Sequence, residues 1–244
     1  MHFRLLAVAL VISFPACAPA DGSPREPASA AVAARLPAPA STPQAGVPST
    51  TDSTQARADR GRTAGDPSAT TWMVVISDFQ CPYCKTWHDE TYPALRREYV
   101  DAGKLRMAYL HLPLPNHSQA RLAAEASMCA SASGRFWEMH DRIFASQSRW
   151  SRLASADSLA ARAMFDSLSV TAGVPAAQYR SCMAAGATRS IVQADFARAV
   201  AANVSSTPSF FVGNTLIEGA VPLADFRRVI DSVLAAARAT TARR

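Results

Sequence analysis

Residues 78–88, DFQCPYCKTWH, place two cysteines three positions apart, directly after a β-branched apolar run (WMVVIS, residues 72–77) and directly before an amphipathic stretch. This strand-to-helix junction constrains the fold more than any other feature of the chain. Pro82 follows Cys81 at the spot where a fixed φ and a missing N–H suit the first residue of a helix. Both sulfurs then fall on one side of the first turn, at a separation a disulfide can bridge. The unpaired N–H groups and the positive end of the helix dipole favour thiolate over thiol at the outer sulfur. A stabilised Cys81 thiolate is a ready nucleophile and leaving group, and it makes the disulfide more oxidising. Cys84, one turn inside, is expected to be more buried and to act as the resolving thiol. A zinc site asks for about four ligands, and the sequence around the motif offers only His88, with no second C-x-x-C. No metal and no cofactor are therefore expected. A purely structural bridge between residues three apart closes too short a loop to stabilise much.

The remaining pattern sets this junction in an α/β frame. KLRMAYLHLPL (residues 104–114) reads as a second strand, five helical segments follow over about 117–203, and SFFVGNTLIEGAV reads as two short strands about Gly213-Asn214. Pro93 should kink the first helix. The closing LADFRRVIDSVLAAAR is amphipathic, with Leu223, Phe226, Val229, Ile230, Val233 and Leu234 on one face. A strand–helix–strand start implies a right-handed crossover and a parallel pair, and the final hairpin completes a small mixed sheet.

Three segments carry a resemblance. VVISDFQCPYC, AAEASMCASASGRFWEMHDRIF and VSSTPSFFVGN, in this order, resemble the DsbA-like branch of the thioredoxin superfamily over about residues 72–237. The resemblance implies a thioredoxin fold with an inserted helical domain, over residues 71–238 with the insertion at about 117–203. It implies Cys81 and Cys84 as the catalytic pair. It also implies a cis proline at Thr207-Pro208 beside them, and a substrate-binding surface built from Thr207, Pro208, Pro82 and Tyr83. There the backbone of Thr207 would pair with an extended peptide. Family members commonly carry a buried acidic residue six positions before the first cysteine, and this chain has Val75. Asp78 is nearer but need not face the same way, which leaves water, Lys85 or nothing specific to handle the proton of Cys84. His117, after PLPN, is a candidate for the active-site face. Cys129 and Cys182 each fall in a predicted helix. In an oxidising compartment two leftover cysteines most simply pair, as in some DsbA-like proteins, the alternative being two buried free thiols. Phe136, Trp137, Met139 and Phe144 read as core.

The N-terminus reads as a targeting segment over residues 1–20, with LLAVALVISF as its apolar stretch. FPAC resembles a lipoprotein box that would make Cys17 a lipidated N-terminus, whereas APA at Ala18–Ala20 suits ordinary cleavage after Ala20. Residues 21–70, rich in Ala, Pro, Ser and Thr, read as a disordered linker. The net charge of +6 is spread without a basic–aromatic cluster, so no nucleic-acid partner is expected. The expected function is thiol–disulfide exchange on cysteines of exported proteins, as a disulfide-forming oxidase. Its setting would be the periplasm or the extracellular space, with a membrane redox partner and, on the Cys17 reading, a lipid anchor. A reductase or isomerase, or a non-catalytic peptide-binding module, remains the alternative.

Overall fold

The computed structural model describes residues 53–242. The elements that place the motif come first. Strand β2 (Trp72–Ser77) enters the junction and helix α2 (Pro82–Glu90) leaves it, after an N-terminal helix α1 (Thr54–Gly61) and a two-residue strand β1 (Thr63–Ala64). Pro93 has no N–H to continue the helix, so α2 ends and a short α3 (Tyr92–Leu95) and a π-turn (Arg96–Val100) follow. Strand β3 (Arg106–His111) then runs parallel to β2, with Val75 opposite Tyr109 and Ser77 opposite His111.

Six α-helices lie between β3 and the next strand. They are α4 (Ala120–Ser131), α5 (Phe136–Ala145), α6 (Gln147–Trp150), α7 (Ser158–Thr171), α8 (Ala176–Ala185) and α9 (Arg189–Ala201). The hairpin β4 (Ser209–Val212) and β5 (Thr215–Glu218) and helix α10 (Leu223–Thr241) close the chain. Gly213 takes the positive φ of the hairpin turn, +56°, in a place where a Cβ would meet Val233 Cγ1 at 3.2 Å. The sheet order is β1-β3-β2-β4-β5, with β2–β3 parallel and the other pairs antiparallel. One face carries the main core, where Phe79, Trp87, Tyr109, Phe136, Phe144 and Phe210 are all buried. The opposite face is covered more thinly by Ile76, Leu112, Ala199, Val204 and Phe211.

Cys129 on α4 and Cys182 on α8 are joined, with their Cα atoms 5.7 Å apart. The sequence separation of 53 residues corresponds to about 4 kcal/mol of loop entropy removed from the unfolded chain.

The linker expectation fails over residues 54–64, which form α1 and β1. Ser53 Oγ accepts the Ala56 N–H at 3.1 Å as an N-cap. Gly61 lies so close to Ser131 that a Cβ would clash with its carbonyl. At the end of the helix the buried Arg62 guanidinium pairs with Asp59 and with the fully buried Asp195 of α9. A short helix of Thr, Gln, Ala, Arg and Asp has no apolar stripe to betray it, and tertiary contacts hold it. The expected targeting segment, Cys17 and the linker as far as residue 52 lie outside the described residues.

Candidate active site

Cys81 is the N-cap of α2, with φ −68° and ψ 126°, and the first turn of the helix carries no acidic residue. The positive helix end is therefore uncompensated where the sulfur sits. Cys81 and Cys84 are both free thiols and both buried, while Pro82 and Tyr83 between them are exposed. Thr207-Pro208 is cis, and it brings the Thr207 carbonyl to 3.4 Å from Cys81 Sγ, which donates to it as a thiol. The sequence-predicted residues 81–84, 207 and 208 thus meet at one point, although the chain separates them by more than a hundred positions.

The electrostatics of the pair are asymmetric. Cys81 is pushed down to about 6, first by the hydrogen bond from the Cys84 thiol, then, against the opposing effect of burial, by the Thr207 side chain and the N–H groups of Cys84 and Tyr83. The Thr207 hydroxyl is buried and, among the described residues, has no other partner, which leaves it to favour the thiolate. Cys84 is pushed well up, first by burial and then by its neighbour Cys81. One sulfur is ionised near neutral pH and the other holds its proton.

No carboxylate lies under Cys84 from position 75, where Val75 packs fully buried opposite Tyr109. Asp78 meets Cys84 through its backbone instead, its N–H 3.5 Å from Sγ. Its buried carboxylate points elsewhere: it accepts Gln80 N at 2.7 Å, Leu114 N at 2.8 Å and His117 Nδ1 at 2.7 Å. Asp78 therefore pins the loop after β3 to the motif, and its hydrogen bond raises His117 above the usual imidazole range. Lys85 is engaged with Asp89 at 2.6 Å.

Sequence reasoning missed Gln147. From α6, its Nε2 donates to the carbonyls of Phe79 at 2.7 Å and Cys81 at 3.0 Å, so the inserted helices hold the backbone that presents the cysteines. Nothing in the sequence marks it, because only the fold brings α6 to this loop.

The thioredoxin family model matches residues 57–232. The chain belongs to the thioredoxin family. Helices inserted between β3 and β4 make it the DsbA-like form of the thioredoxin fold. The structure is similar to that of BdbD from Bacillus subtilis in its oxidised state, with a TM-score of 0.63 and 20% identity over 72% of this chain and 94% of that one. In sequence the chain is 31% identical over 86 residues to a probable disulfide bond formation protein D of Bacillus anthracis, covering 35% of this chain and 40% of that protein. It is also 32% identical over 181 residues to the Na(+)/H(+) antiporter NhaA 3 of Salinispora tropica, covering 74% of this chain and 26% of the antiporter. The chain thus spans about a quarter of the length of that antiporter.

Proposed function

We propose that this thioredoxin-family protein is a thiol–disulfide oxidoreductase that forms disulfides in exported proteins. The observation that carries the reading is the split between the two sulfurs, Cys81 lowered to about 6 and Cys84 raised. With a pKa of about 6, Cys81 is mostly thiolate at pH 7. The reduced form is stabilised, and the disulfide is correspondingly oxidising.

In the cycle a substrate thiolate attacks Sγ of Cys81 in the Cys81–Cys84 disulfide, and Cys84 leaves and takes up a proton. A second substrate thiolate then attacks the substrate sulfur of the mixed disulfide. Cys81 leaves as the stabilised thiolate. Two electrons have passed from two substrate thiols to the pair, and the substrate holds a new disulfide. An exposed Tyr83 and the backbone beside Pro208 offer the surface on which an extended segment would lie. Reoxidation requires a partner that accepts two electrons, which on this reading resides in the membrane.

On the same reading the chain acts in the periplasm or outside the cell, delivered by the segment at residues 1–20. Cys17 would either carry a lipid anchor or be removed by cleavage after Ala20. Among the described residues no helix is long and apolar enough to cross a membrane. Intact-mass analysis of the mature N-terminus distinguishes the two ends.

The test of direction is equilibration of the purified protein with glutathione buffers, read by thiol trapping. A potential closer to about −120 mV than to about −270 mV is expected. A value at the thioredoxin end would favour a reductase. If Cys81→Ala/Cys84→Ala kept full biological activity, peptide binding and not redox exchange would be the function.

A further inference from the structure

One turn beyond Cys84 on α2, His88 meets His140 and Asp141, which α5 carries up to it. Asp141 Oδ1 stands 2.8 Å from His140 Nδ1 and 3.2 Å from His88 Nε2, and the three donor atoms all lie within 4.8 Å of one another. On the far side of the ring, His88 Nδ1 is 2.9 Å from Asp89 Oδ1. His88 thus stands between two carboxylates, Asp89 at Nδ1 and Asp141 at Nε2. Two imidazole nitrogens and one carboxylate oxygen thus converge on one point, a donor set that a cation can share. His140 is fully buried, so the aromatic core holds its ring in place.

We propose that His88, His140 and Asp141 bind a divalent transition-metal cation of the zinc class, with Asp89 orienting His88. Two imidazole nitrogens and one carboxylate oxygen suit Zn2+, whereas Ca2+ and Mg2+ take sets dominated by oxygen. Ligands at zinc distances around one tetrahedral centre lie roughly 3.3 Å from each other, and the two separations to Asp141 already approach that spacing. Asp89, 2.9 Å from the outer nitrogen of His88, would complete the carboxylate–histidine–metal order that fixes ring orientation in such sites. Asp141 is half exposed and provides the entry path, and the three protein ligands leave one position for water. The active-site cysteines take no part, so the proposal stands apart from the redox function.

The test uses the full chain with Cys81–Cys84 oxidised and any other free thiol alkylated, so that sulfur cannot compete. Zn2+ is titrated against a chromophoric chelator. One equivalent is expected to bind, with affinity lowered by about tenfold or more in Asp141→Asn and by about tenfold in Asp89→Asn. His88→Gln should abolish it. Asp141 and Asp89 are both well exposed, so these two variants leave the core packing intact. Failure to bind an equivalent of Zn2+, or binding that is unchanged in Asp141→Asn and His88→Gln, would overturn the proposal and leave protons alone to bridge the cluster.

Discussion

Cys81 gains its acidity from identifiable neighbours, so each can be removed in turn. Thr207→Val deletes the hydroxyl that favours the thiolate and keeps the volume. The pKa of Cys81 should rise towards the ordinary thiol range, and the rate of iodoacetamide alkylation at pH 6.5 should fall. The same ionisation links redox state to pH. A thiol whose folded pKa is depressed stabilises the fold above its unfolded value and loses that contribution as pH falls through the folded one. Reduced protein should therefore gain stability between about pH 6 and 9, a gain the oxidised protein lacks because it has no Cys81 thiol. Denaturant midpoints of the two forms across that range check this; parallel profiles would mean that Cys81 is not depressed.

At the level of elements, the buried contacts of α1 and the α4–α8 bridge add to the stability that the core supplies. Arg62→Ala leaves Asp195 fully buried without its main partner, and a loss of about 3–5 kcal/mol is expected in urea unfolding. Replacing Cys129 and Cys182 with alanine should cost about 4 kcal/mol. These elements are unequally legible. Strand β2 and helix α2 follow from local pattern and from the chemistry of proline, and at Pro93 the expected kink is a full break into α3. Helix α1 does not, because its residues are those of a linker and contacts made only in the fold, among them Arg62 with Asp195, the close approach at Gly61 and the buried Ala58, make it a helix that stays.

For the molecule as a whole, the division between what a sequence shows and what a fold adds runs through the site itself. The C-x-x-C pair is a local signature, legible in the order of residues alone, whereas Thr207-Pro208 is legible through the resemblance to the DsbA-like branch. Asp78 stands out in that order only as an acid in an awkward position. Its use of the backbone N–H for Cys84 and of the carboxylate for His117 depends on the loop after β3. Gln147 and the meeting of His88 with His140 and Asp141 depend on where the inserted helices pack, and no spacing encodes them. Gln147→Ala would strip the side-chain donor from two buried carbonyls at the motif. A stability loss of about 1–3 kcal/mol should accompany slower exchange with a thiol peptide.

The most direct measurement is thiolate absorbance near 240 nm of the reduced chain as a function of pH, taken as the difference between wild type and Cys81→Ser. A single inflection near 6 is the predicted result, with Cys84 silent until well above the ordinary thiol range. An inflection near 8.5, that of a free cysteine, would contradict the account.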